Sequence, residues 1–297
     1  MSLIERFLGK PDADRPLTEL AANPAIENPL HVAVLFSKSF DFDGEAIAQA
    51  LRSLDPKLEK ARVETVRLDD DRMPDDAGNM IGLAGWGPHV LKLIYYEAPV
   101  PDNIFEACVR FAQFDPQLKD DAAGHRAHAL IYYSGDEIDP LEQYVALTTL
   151  ATAFARLGAI LVINEAGRSA FPAEALLPAA GDGDLLESLR TLPIPLFYGG
   201  FVKVEIEGQK GVWMRTFGNH LLGLPNLATH APGHQLGNEC FDLFTNILMY
   251  ARAENVEFLA GQSVQLGPNL GYAFRERTDA EWWLESQGTM LVLDRIE

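Results

Sequence analysis

Apolar residues along this chain recur in two rhythms, every second position and every third to fourth, and the rhythms follow one another in the same order twice. Alternation fits a strand with one buried face, and the longer period fits a helix with an apolar stripe. A chain patterned in this way is limited to architectures that pack helices against sheets.

The first pass opens at 31–36 with an apolar run of strand length. Asp41 or Asp43 is placed to cap a helix whose inward face is Ile47, Ala50, Leu51 and Leu54. Strands are predicted around Val63 and Val66, over 80–83 and over 90–95, with a turn-rich Gly-Trp-Gly-Pro segment at 85–88. A helix starting at Pro101 and Asp102 carries Ile104, Phe105, Cys108, Phe111 and Ala112 on one face, and 127–133 is a further strand. This order reads as βαββαβ, the ferredoxin-like arrangement.

The clearest helix follows. Asp139 is its N-cap, Pro140 suits the first helical position, Glu142 is placed to complete a capping box, and Gly158 stops it. A second pass then runs from a strand at 159–163 through helical stretches at 172–177 and 184–192. A hairpin over 196–206 and 211–217 comes next, then a helix presenting Leu236, Cys240, Leu243, Phe244, Ile247, Leu248 and Ala251 inward, and a strand at 256–259. Tail strands are predicted at 264–266, 271–275 and 289–293, with Trp282 and Trp283 between them. The expected fold is α+β: two tandem ferredoxin-like (βαββαβ) halves with mainly antiparallel mixed sheets, joined by a long capped helix. The expected boundaries are a proline-containing N-terminal leader over 1–29, a first half over 30–138, the helix over 139–158, and a second half with C-terminal strands over 159–297.

Several of these pieces, taken in order, carry a resemblance. They are the strand and helix over 30–54, the strand at 90–96 running into Glu-Ala-Pro-Val-Pro at 97–101, and the capped helix from Asp139. The strand over 159–164 with its loop to Phe-Pro-Ala-Glu at 171–174 follows, then the hairpin ending at Phe217 and Gly218 and the Leu-Gly-Leu-Pro-Asn-Leu segment at 222–227. From about residue 30 onward the chain resembles the bacterial family called domain of unknown function 4261. The resemblance implies a fold and no activity, and it transfers no catalytic residue.

Charge narrows the partners. With 24 Lys and Arg against 43 Asp and Glu, the formal net charge is −19. Such a surface repels nucleic-acid phosphates and anionic membranes. It attracts a basic protein or a metal cation, although an acidic surface that simply keeps a protein soluble accounts for the same charge. Cys108 and Cys240, the only cysteines, sit in apolar helical patterns and suit a reducing, cytoplasmic setting. The first nine residues are too short and too interrupted for a signal peptide, and the apolar stretch at 150–163 contains Arg156 and Gly158 and falls short of a membrane span.

Candidate chemistry is sparse. His220, His230, His234 and Glu239 are ligand types that suit zinc or another divalent metal, although Ala231, Pro232 and Gly233 keep His230 and His234 off a shared helix face, and solvated loop histidines account for the pattern. Asn164, Glu165 and Arg168 lie just past the end of an apolar strand, a favoured place for ligand sites. The arginine could bind a carboxylate there or form a plain exposed ion pair with Glu165. His125 and His128 read as a solvated loop residue and a strand-start residue. Asp69 to Asp71 with Asp75 and Asp76 read as an acidic loop, and the tryptophans as core edges or a binding surface. No phosphate-binding loop, dinucleotide glycine fingerprint or nucleophile elbow is present. The expectation is a protein-binding or accessory module, immunity-type roles included, with no cofactor. The alternative is a metal-assisted hydrolase or other small-molecule enzyme built on the His/Glu cluster.

Overall fold

A computed structural model describes residues 2–9, 19–68, 80–178, 184–267 and 270–296; the acidic positions 69–71, 75 and 76 lie outside them. The fold is α+β with two sheets, and the chain divides into two compact units. The first comprises 1–106, 113–163 and 170–191, and the second 107–112, 164–169 and 192–297. No helix among the described residues is long and apolar enough to cross a membrane.

In the first unit the strands are β1 (His31–Phe36), β2 (Arg62–Arg67), β3 (Met80–Trp86), β4 (His89–Tyr96), β5 (Ala127–Tyr133), β6 (Ala159–Asn164) and β7 (Ser169–Pro172). They form one sheet in the order β2-β3-β4-β5-β1-β6-β7. β1 is apolar from Val32 to Phe36 because it lies inside the sheet with those five residues buried, whereas β4 alternates and buries Leu91, Leu93 and Tyr95. Among the helices, α1 (Leu3–Phe7) opens on a capping box made by Ser2 and Glu5, and α2 (Gly44–Arg52) is capped by Asp43, whose carboxylate accepts from the Glu45 and Ala46 amides. Phe36, Phe40, Phe42, Tyr95 and Phe154 make an aromatic core with ring centroids 5.1–6.4 Å apart, and the Tyr95 hydroxyl accepts from the Phe40 amide.

Between α2 and β5 the chain also forms α3 (Asp102–Val109) and α4 (Pro116–Ala123). The long helix α5 (Pro140–Arg156) is capped by Asp139 and followed by Gly158 at φ +95°, as its sequence predicts. Two expectations about it are corrected. Glu142 does not close a capping box; it makes a two-point pair with Arg190 of α6 (Leu185–Arg190) at 2.7 and 2.9 Å. Nor does α5 stand between two halves, because it packs on β1, β5 and α2 inside the first unit. β6, expected to open a second half, instead pairs antiparallel with β1. The sequence alone does not distinguish these outcomes, because an apolar strand fits either sheet.

The second unit holds β8 (Gly200–Val204), β9 (Val212–Phe217), β10 (Asn226–Ala231), α7 (Gly237–Ala253), β11 (Ser263–Gly267), β12 (Leu270–Arg275) and β13 (Met290–Ile296). The sheet order is β11-β12-β13-β10-β9-β8, antiparallel except for the parallel pair β10 and β13. The hairpin and the tail strands are where the periodicity puts them. The strand expected at 256–259 does not form, and β10 appears instead. With strands in these orders, the expected tandem βαββαβ duplication is not established.

Period-two alternation splits β9 cleanly. Met214 and Thr216 face one side, where Phe201 of the neighbouring strand packs on Phe241 and Phe244 of α7. Trp213, Arg215 and Phe217 face the other. There Trp213, Ala228, Met290 and Val292 join Leu284, from a 3₁₀ segment over Asp279–Leu284, in a buried apolar cluster with Trp283 packed against it.

Candidate functional site

A charged residue on this apolar face stands out. Arg215 is 2% exposed and sits across from Val202 of β8 and Ala228 of β10. One of its terminal nitrogens donates to the Trp283 carbonyl and the other to the Glu285 carbonyl at 3.3 Å, while Nε is buried with no partner. Its guanidinium lies over the Phe217 ring, 3.9 Å from the centroid. Burial, and then the neighbouring Arg168 charge, push its pKa down to about 10, so it remains cationic at neutral pH.

The neighbour is a residue already singled out in the sequence. Arg168 lies at φ +48° in the loop after β6, and its guanidinium is 4.2 Å from the centroid of the same Phe217 ring. Two cations on one ring lie within roughly 8 Å of each other, about the Debye length at physiological salt. Among the described residues neither arginine forms an ion pair with a carboxylate. The exposed ion pair expected for Arg168 is therefore replaced by stacking on an aromatic ring.

The loop reaches this position because three kinds of contact hold it there. Buried Asn164 donates to the Phe197 and Tyr198 carbonyls at 2.9 and 3.1 Å, and its Oδ1 accepts from the Gly167 amide at 3.3 Å. Its polar atoms are thus engaged in shaping the loop. The Arg168 amide closes the turn on the Glu165 carbonyl at 3.0 Å. Gly200 gives the loop room, since a Cβ there would lie 1.6 Å from the Gly167 carbonyl oxygen.

Arg168, Arg215 and Phe217 line a cavity of about 290 Å³ together with Phe111, Val202, Val204, Trp282, Trp283 and Glu285. Trp283 Nε1 is a second buried donor without a partner. Trp282, 68% exposed, packs edge-on against Trp283. Two arginines and an apolar wall, with Glu285 as the one acidic residue of the lining, suit a small anion attached to an apolar body. In a larger open groove of about 940 Å³ in the first unit, several of the polar lining groups have partners of their own: Arg52 pairs with Glu45, Glu19 with Arg6, and Asn23 with Asp136.

The histidine cluster does not assemble. His230 on β10 meets the Lys210 carbonyl at 2.9 Å, His234 meets Glu205 at 2.8 Å, His220 sits in a 3₁₀ turn beside Gly288, and Glu239 is exposed in the first turn of α7. Among the described residues no three His, Cys, Asp or Glu side chains are grouped to hold a metal. The loop between His230 and His234 points them to separate partners.

His125 is buried rather than solvated, and His128 lies at the start of β5 as expected. His125 Nε2 accepts from the Val100 amide and Nδ1 donates to the Ala122 carbonyl, both at 2.8 Å, while His128 Nδ1 donates to the Ala98 carbonyl at 2.7 Å. Burial pushes both pKa values down. Cys108 and Cys240 are buried, and burial pushes the Cys108 thiol up to about 12, which leaves it a poor nucleophile.

In comparison with known proteins, no family model, curated sequence or solved structure matches this chain. The site stands on its geometry.

Arg215 was not among the residues singled out by sequence. A signal was there: it lies midway between Trp213 and Phe217 at the strand period, so it shares their face.

Proposed function

We propose that this chain is a protein-binding module whose contact point is the Arg168–Arg215 pocket, and that the pocket takes an acidic group of the partner. The observation that carries this reading is the pair of guanidiniums on Phe217, one of them buried, with no carboxylate paired to either among the described residues. A buried cation without a counter-ion is costly unless a ligand supplies one. Loop placement of Arg168 and the aromatic walls support recognition, and the inert buried thiols weigh against cysteine chemistry. The two unbridged cysteines support a cytoplasmic setting. The resemblance to the domain of unknown function 4261 family brings no activity that competes with this reading.

Tryptophan fluorescence reports on the pocket directly, because Trp282 and Trp283 line it. Titration with a series of small carboxylates, from acetate to phenylacetate, is expected to give a saturable change. Arg168→Gln, at an exposed position, is expected to weaken the tightest member about tenfold. A flat titration across the series removes the reading.

A further inference from the structure

The pocket's size and walls say more about which acidic group belongs there. The following rests on the carboxylate reading above. A cavity of about 290 Å³ falls at the lower end of the range for small-molecule sites. That suits a single small group or terminal residue of a partner rather than a broad surface. The cavity's lining supplies two cations, Arg215 and the exposed Arg168, with Val202, Val204, Phe111 and Trp282 as apolar wall and the exposed Glu285 as its one acidic residue. A phosphate would strip water from its outward oxygens against those walls without replacing it. An aspartate or glutamate side chain would satisfy the cations but leave the walls facing main chain. A chain-terminal residue with an apolar side chain matches both halves, since its carboxylate and side chain branch from one carbon.

Charge over the whole molecule adds a second condition. At −19 the protein repels an acidic partner at long range, so a partner that delivers a carboxylate here is favoured when the rest of it is basic. We infer that the pocket binds the C-terminal residue of a basic partner protein, with the terminal carboxylate on Arg168 and Arg215 and an apolar last side chain against Trp282.

The test uses the full chain and short lysine-rich peptides ending in leucine, made as free acid and as C-terminal amide, read by fluorescence anisotropy. The free acid is expected to bind at least about tenfold more tightly than the amide. Replacing leucine by glycine is expected to weaken binding severalfold. Arg168→Gln is expected to erase the difference between acid and amide, and Arg168→Lys to keep part of it, because the charge survives while the two-pronged geometry does not. Equal binding of acid and amide overturns the inference, as does inorganic phosphate displacing the peptide as well as acetate does. If phenylacetate binds and no peptide does, the terminal-residue inference falls and the carboxylate pocket stands. If neither small carboxylates nor peptides bind, both fall.

Discussion

Arg215 and Phe217 are two positions apart on the same face of β9, and the guanidinium of the first lies 3.9 Å from the ring centre of the second. The ring lends the cation a partner at short range, and two backbone carbonyls accept hydrogen bonds from its terminal nitrogens, yet among the described residues no carboxylate pairs with it. A site that keeps an uncompensated charge for binding trades stability for function. Arg215→Met, similar in volume and without charge, is therefore expected to change unfolding free energy by no more than about 1 kcal/mol, since Trp283 is only half-buried and Glu285 exposed, so water can replace both lost bonds. The same variant is expected to lose the carboxylate response in the fluorescence titration. Urea denaturation showing a loss above about 3 kcal/mol would make Arg215 a structural staple of the 279–285 segment.

Gly200 is the second control point. An added Cβ would fall 1.6 Å from the Gly167 carbonyl oxygen, a backbone atom that cannot swing aside. Gly200→Ala is expected to cost about 1–3 kcal/mol in chemical denaturation and, by pushing the Arg168 loop away from Phe217, to weaken carboxylate binding as well. Unchanged affinity in a destabilised protein would separate the loop position from the site.

How far the sequence foretold this can be followed through particular residues. The helix α5 and the hairpin of β8 and β9 were legible because their signals are local: a cap, a proline, a stop glycine, an alternating pattern. β10 was missed because its residues, Asn-Leu-Ala-Thr-His-Ala, have little strand preference of their own and owe their conformation to β9 and β13 on either side. The membership of β6 in the first sheet was illegible for a related reason, since pairing with β1 spans more than a hundred residues of chain. In the site, Arg168 was legible from its place after a strand. Arg215 was not, because a charged residue in a strand ordinarily faces water, and only the packing of the 3₁₀ segment over it turns that face inward.

Two buried histidines and a half-buried one set the response to mild acid. Burial lowers the pKa of His89, His125 and His128 below the ordinary 6.5. On falling pH the unfolded chain takes up these protons first, near pH 6.5, while the folded chain still holds the rings neutral, so the balance shifts toward unfolding. Stability is expected to be level above about pH 7 and to decline between about pH 6.5 and 5. The carboxylates held low by partners, Asp184 through Lys57 and Glu281 through Arg275, release their contributions only at lower pH, below their own ordinary values of 3.8 and 4.5. Urea midpoints at pH 7.5, 6.5 and 5.5 measure the effect, and a midpoint that holds or rises toward pH 5.5 contradicts it.

Glu142 offers a test of the corrected reading of α5. Were it the partner of the Asp139 cap, its loss would loosen only the first helical turn. The structure gives it instead to Arg190, at 2.7 and 2.9 Å with both side chains partly buried, which ties α6 to α5. Two parallel charge-assisted bonds in this setting exceed the usual surface pair, so Glu142→Gln is expected to cost about 1 kcal/mol. Because the benefit comes from the pair, Arg190→Gln is expected to cost a similar amount, and the double variant little more than either single one. Hydrogen exchange should show the loss of protection in 185–190 as well as at the start of α5. Protection lost only around 140–142, with additive energies in the double variant, would return Glu142 to the cap.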